Sequence, residues 1–400
     1  AEFHTMGAEK RKVKRLVNNY ARCPDAGEGE EQTLMALVTT EKMLKDAQAG
    51  HYAVGAFNVE NLEFVMAVLA AAEETKSPVI MQTTPGTIKT AGLDYFYGMV
   101  KAAAERASVP VALHLDHGDG YDRCMQAFRT GYTSVMIDGS HESFEDNIAL
   151  TKSVADAGRA MGVPVEAELG KVGGKEDDGP AVEGESPYTD PAEAKEFVER
   201  TGCTSLAIGV GTSHGVYTSD PHIEQSVVKA IRDAVDVPLV LHGTSGVPDE
   251  QVAEAVKNGI CKVNYATELR QAYTKGFMAY MAENPACFDP KKPAKEGMRE
   301  IIRRERLIEL ALESHRYWDI LRWKLAPDYF NQPISGWDVS QSDAAAYYQV
   351  RTIYNRSFVA PRDYFNPIPN SEMKSKGSER YTVGYTSFPG STRLRQSVCQ

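Results

Sequence analysis

Between residues 51 and 267 the chain alternates eight times between a short apolar run and a longer stretch of helical period. The runs are HYAVGAFNV, PVIMQTT, PVALHLDHG, SVMIDGS, PVEAELG, SLAIGVGTSHG, PLVLHGTSG and ICKVNYATE. Stretches such as LEFVMAVLAAAEETK and PDEQVAEAVKNG lie between them, and LRQAYTKGFMAYMAENP follows the last. Proline opens several runs and glycine closes several helical stretches, as boundaries of this kind require. Strands apolar on both faces need cover on both, as in a parallel sheet with helices outside. Eight such units in about 230 residues suit a closed (β/α)8 barrel better than an open doubly wound sheet. No GxGxxG follows the first run, so the usual dinucleotide fingerprint is missing. The expected fold is therefore α/β: a TIM barrel with a non-barrel, aromatic-rich C-terminal extension.

The flanks read differently. Residues 1–34 carry a basic cluster from Lys10 to Arg15 and an acidic one from Gly27 to Glu31, with no period, and are expected to be disordered. From Met35 the segment MALVTTEKMLKDAQAG reads as an amphipathic helix preceded by a threonine cap. The barrel is expected over 35–300, ending at the Pro/Lys-rich NPACFDPKKPAKEGMRE. Beyond it, over 301–400, the alternation is lost and all three tryptophans appear: Trp318, Trp323 and Trp337.

A net charge of −11 argues against nucleic acid or an anionic membrane as the main partner. It leaves room for a phosphorylated substrate, since backbone amides can hold phosphate locally. Six scattered cysteines without a CxxC pair fit reduced thiols. No apolar run approaches the roughly 18 residues of a membrane span, and the first residues lack the apolar segment of a secretory signal. The expected location is the cytoplasm.

In such a barrel, polar groups at the C-terminal ends of strands face the active site. Histidines stand there on the third, sixth and seventh runs: His114 and His117, His214, and His242. One strand-end histidine is ordinarily a hydrogen-bonded core residue. Three converging on one mouth suit zinc with an open position, an arrangement for Lewis-acid chemistry. Strand alternation puts His114 and His117 on opposite faces, yet strand ends splay, so alternation leaves open which one is the ligand. Asp116 beside His117 is a candidate general base, or else a support orienting a histidine. GTSHG, HGTSG and NYAT at 264–267 offer amides and hydroxyls to a phosphate.

These segments, with AVGAFNVENLE, TTPGTIKTAG, HLDHGDG, SVMIDGSH, VEAELGKVGGKEDD, VLHGTSGVP and GICKVNYATELR, resemble class II, metal-dependent ketose-bisphosphate aldolases. The resemblance runs in order from about Met35 to Ile301 and is strongest to the tagatose-bisphosphate branch, with fructose-bisphosphate aldolases next. It implies that His117, His214 and His242 bind catalytic zinc and that Asp116 transfers the proton. It assigns Asp138 and Glu168 to a second or alternate site for a metal or monovalent cation. It places Gly215, Gly243, Thr244, Ser245, Asn264, Tyr265, Ala266 and Thr267 at the substrate phosphates, and Glu176 in a loop acting on the enediolate. His114, His141 and Glu166 are then structural. The implied partners are the sugar bisphosphate, dihydroxyacetone phosphate and glyceraldehyde 3-phosphate. A homo-oligomer (dimer or tetramer) and an accessory subunit are implied as well. Strand 6 has no Schiff-base lysine, and Lys262, at the start of strand 8, is expected to lie away from the mouth.

The segment IIRRERLIELALESHRYWDILRW, with DAAAYYQVRTIYNRSF and PRDYFNPIPNSEM, is similar to the C-terminal part of SusD/RagB-type glycan-binding proteins over about 300–373. Apolar positions such as Ile302, Leu307, Leu310 and Trp318 would let a helix over 302–323 dock on the barrel. This supplies a second reading from another class: a surface glycan-binding protein carrying an inactive barrel.

Overall fold

The computed structural model describes residues 37–174, 188–217, 220–309, 326–337, 350–355, 357–360, 385–388 and 391–394. They fall into two units, one ending at Arg316 and the other beginning at Tyr317.

The first unit is the expected closed barrel. Its eight parallel strands are β1 (Val54–Asn58), β2 (Val79–Thr83), β3 (Val111–Gly118), β4 (Ser134–Ile137), β5 (Val165–Leu169), β6 (Ser205–Ile208), β7 (Leu239–Leu241) and β8 (Ile260–Tyr265). Pairing runs in chain order and closes where β1 meets β8, with Ala56 opposite Asn264 and Phe57 opposite Tyr265. The helices are α1 (Thr40–Gly50), α2 (Leu62–Thr75), α3 (Pro85–Ala91), α4 (Leu93–Ala104), α5 (Tyr121–Thr130), α6 (Phe144–Met161), α7 (Pro191–Thr201), α8 (Gln225–Ala234), α9 (Asp249–Lys257), α10 (Thr267–Glu283) and α11 (Lys291–Glu309). Several starts are capped by the side chains that sequence rules favour. Asn61 accepts from Phe64 N–H, Ser143 from Asp146 N–H, and Asp190 from Ala192 and Glu193 N–H.

Two apolar clusters hold the barrel. The larger packs strand residues such as Phe57, Leu113, Val135, Leu206 and Leu241 against Phe64, Phe96, Phe197 and Ile231 of the outer helices. The smaller joins Met43, Leu44 and Ala47 of α1 to Val54, Ala56, Ile80 and Ala112, so α1 packs against early strand positions and away from the strand ends where the site lies. Thr39 occupies the N-cap of α1, but its side chain makes no capping bond, contrary to the expected threonine cap. The neighbouring Thr40 hydroxyl instead donates to Ser134 Oγ at 3.0 Å, tying α1 into the barrel.

α11 packs on α10 and α2, burying Met298, Ile301 and Ile302. The barrel unit therefore continues past residue 300. Of the expected docking residues, Ile302 is buried here, whereas Leu310 and Trp318 lie outside the described residues and the Leu307 side chain is not described. No helix among the described residues is long and apolar enough to cross a membrane.

The second unit contains the short helix Ala326–Phe330 and two antiparallel strand pairs, Pro333–Trp337 with Val350–Asn355 and Tyr385–Phe388 with Ser391–Leu394. Asn331 fixes the backbone of Phe358, accepting from its N–H at 2.6 Å and donating to its carbonyl at 3.3 Å.

Candidate active site

β3 carries the first part of the site through an irregularity that alternation could not anticipate. Its pairing with β4 shifts between Leu115 and Gly118, and His117 adopts φ +47°. A bulge places consecutive residues on one side of a strand, at a backbone cost that functional sites commonly carry. Asp116 and His117 both reach the barrel mouth as a result. His114 stays deeper and fully buried, its Nδ1 2.8 Å from Ser134 Oγ.

The other two histidines come from the exits of β6 and β7. The sequence suggested one long sixth strand ending at His214, but β6 stops at Ile208. His214 lies in a separate two-residue strand, Ser213–His214, paired in parallel with Gly173–Gly174 beyond β5. Tyr217 fastens this loop to the next: its hydroxyl accepts from Ser213 N–H and donates to the Gly243 carbonyl, both at 2.7 Å. Gly243 has φ +63°, and a Cβ there would sit 2.7 Å from the Ser213 backbone, so only glycine fits this approach. His117, His214 and His242 bring ring nitrogens within 4.8 Å of one another.

Hydrogen bonding decides what these nitrogens offer. His117 Nδ1 lies 2.8 Å from Asp138 Oδ2, and His242 Nε2 lies 3.0 Å from Glu166 Oε1. Each is committed to a carboxylate, which only accepts when ionised. The opposite nitrogens, His117 Nε2 and His242 Nδ1, then face one another at 3.0 Å. Two lone pairs at that distance need a cation or proton between them. Glu168 Oε2, buried and without a hydrogen-bond partner among the described residues, stands 3.4 Å from His242 Nδ1. Three imidazoles, two of them with fixed outer partners, suit zinc, and His117 with Asp138 and Glu168 forms a second group of the same kind. Burial opposes charge on His117, but Asp116, Asp138 and Glu168 outweigh it and hold its pKa well above the usual range. Glu168 is pushed up to about 8 by burial and by the charge on Asp138. Burial would raise Asp138, yet the bond from His117 holds it well below the carboxylate range.

Asp116 is 2% exposed and held from both sides. Asn58 Nδ2 donates to Oδ2 at 3.1 Å and Asn264 Nδ2 to Oδ1 at 3.2 Å, while Gln82 Nε2 donates to Asn58 Oδ1 at 2.8 Å. The carboxylate lies on a cleft lined by Asn58, His214, Gly215, Gly243, Thr244, Ser245, Asn264, Ala266 and Thr267. Ala266, the N-cap of α10, makes no side-chain cap and lines this cleft with Thr267, while Glu268 N–H donates to Ser245 Oγ at 3.4 Å. Tyr265 is not among the lining residues: its ring stacks on Phe57, with centroids 5.9 Å apart. His141 is exposed on the turn after β4. Glu176 lies outside the described residues.

Asn58, Gln82 and Tyr217 escaped the sequence reading. The first two had a visible signal, since each is a polar residue near the end of an apolar strand. Lys262 was expected away from the mouth, and it does not line the cleft. It is fully buried and reaches across the barrel to Glu166, with Nζ 2.9 Å from Oε2 and 3.1 Å from Oε1.

The family model for class-II fructose-bisphosphate aldolase matches residues 38–311, and that of the SusD family matches 267–382. Among solved structures, the YdjI aldolase from Escherichia coli K12 is 41% identical, with 70% of this chain and 96% of that one covered at a TM-score of 0.59. Fructose-bisphosphate aldolase from Campylobacter jejuni is 25% identical, with 70% and 95% covered at a TM-score of 0.57. The SusD match begins inside the aldolase match, so α10 and α11 belong to both. Barrel, site and family match agree, and the chain belongs to the class-II fructose-bisphosphate aldolase family.

Proposed function

We propose that this aldolase reversibly cleaves a ketose 1,6-bisphosphate to dihydroxyacetone phosphate and glyceraldehyde 3-phosphate, with tagatose favoured over fructose at C4. The observation that carries the reading is Asp116, held by Asn58 and Asn264 beside the His117–His214–His242 cluster and open to the cleft. His117, His214 and His242 would hold zinc, with Asp138 and Glu168 available to a second or alternate cation. Zinc bound there supplies Lewis acidity toward the substrate ketone.

The chain's own residues do the rest. Asp116 takes the proton from the C4 hydroxyl, the C3–C4 bond breaks, and the bonding pair passes toward the C2 ketone. The two asparagine donors keep Asp116 aimed at that hydroxyl. The backbone of Gly215 and Gly243–Ser245, with the start of α10, receives a phosphate through N–H groups and hydroxyls. Glu176 would return a proton to the enediolate. The expected partners are the bisphosphate and its two products, with homo-oligomeric assembly, an accessory subunit and a cytoplasmic location. The SusD-family match supports a glycan-binding role for the appended segment as a second reading, independent of the barrel's chemistry.

A coupled assay with tagatose and fructose 1,6-bisphosphates, with and without added zinc, tests the reading. Faster cleavage of the tagatose ester is expected; cleavage of neither sugar would refute it.

A further inference from the structure

Lys262 and Glu166 form an ion pair inside the barrel, bridging β8 and β5, and Asp116 chemistry makes no use of it. Both are at most 2% exposed. Isolated buried charges are costly, so a pair kept this deep asks for a reason. Three groups face the Glu166 carboxylate or close on it. Lys262 Nζ donates to both oxygens, and His242 Nε2 stands 3.0 Å from Oε1. His114 Nε2 lies 3.8 Å from Oε2, with no hydrogen-bond partner among the described residues. His114 is itself oriented by Ser134 and, through it, by Thr40 of α1.

We infer that Lys262 is a positioning residue for the metal centre: by gripping Glu166 it fixes the tautomer of His242. Both Glu166 oxygens accept from the Lys262 ammonium, so the carboxylate meets His242 as an acceptor and the ring nitrogen facing it must carry the hydrogen. That leaves the lone pair of His242 on Nδ1, the atom turned toward His117 Nε2 and Glu168. Lys262 never touches substrate or metal. It works at two removes, through an oxygen it shares with a histidine. Outer partners of ligating histidines typically change metal affinity 10–100-fold when lost.

The inference rests on the zinc reading, and its test separates the two. Zinc affinity, by competition with a chromogenic chelator, is compared for wild type, Lys262→Met and the double variant Lys262→Met/Glu166→Gln. The double variant removes both charges while nearly conserving shape, which guards against a failure to fold. Its glutamine can turn either oxygen or nitrogen to His242, so the tautomer is no longer imposed. The histidine tautomers are read by nitrogen-15 NMR on the zinc-free proteins, with thermal melting alongside. We expect Nε2–H on His242 in wild type, a mixed population in the double variant, and zinc binding about 10–100-fold weaker in both variants. A merely structural Lys262 would lower the melting temperature and leave zinc affinity and tautomer unchanged, which overturns the inference. Nδ1–H on His242 in zinc-free wild type overturns it as well. Wild type that shows Nε2–H but binds no zinc would defeat the zinc reading and leave the tautomer lock standing.

Discussion

His117 Nε2 and His242 Nδ1 lie 3.0 Å apart, although 125 residues separate them in the chain. Each ring is turned by a different carboxylate, Asp138 for His117 and Glu166 for His242. The place between them is therefore made for a positive charge, either zinc or the proton that the raised pKa of His117 favours when zinc is absent.

That competition predicts how zinc binding depends on pH. The pKa of His117 is held well above its usual range and that of Glu168 near 8, so both carry protons at neutral pH in the zinc-free chain. Zinc must displace them, and its affinity falls as pH falls. Chelator competition between pH 6 and 8 should show Kd rising about tenfold per pH unit lost for each proton displaced. A Kd flat across that window would contradict the arrangement.

Asp116→Ala should keep zinc and lose turnover by about 10²–10⁴-fold, the usual worth of a positioned acid–base group. Metal analysis beside the cleavage assay checks this. Loss of zinc in the variant would make Asp116 a support for His117 and not the base.

Tyr217→Phe removes one hydroxyl that bolts the His214 loop to the Gly243 loop. Two hydrogen bonds lost should cost about 1–2 kcal/mol in urea unfolding. The Michaelis constant should rise more than the turnover number falls, because the loops that receive phosphate loosen first.

Much of this was legible in the chain. The eight apolar runs dictated the barrel because a strand covered on both faces can hide few polar residues, and those few gather at the strand ends. Asn58 and Gln82 were visible there and went unread. What could not be read was local geometry. The bulge at Asp116–His117 breaks alternation, and no spacing announces it. His214 sits on a strand of its own because the exits of β5 and β6 pair with each other. Lys262 looked remote because it comes early in β8, yet its long side chain crosses the barrel interior to Glu166.

Gly243→Ala forces a side chain into the left-handed region and against Ser213. A loss of about 1–3 kcal/mol is expected from the backbone alone, with weaker substrate binding, as read by denaturation and by the Michaelis constant. A variant with wild-type stability and binding would show that the two loops are not locked together here.

The central claim is that the three histidines hold the zinc on which cleavage depends, and exhaustive chelation followed by zinc add-back tests it most directly. Cleavage of the bisphosphate should vanish on chelation and return as about one zinc per chain is restored. Full cleavage by the zinc-free enzyme would contradict the account.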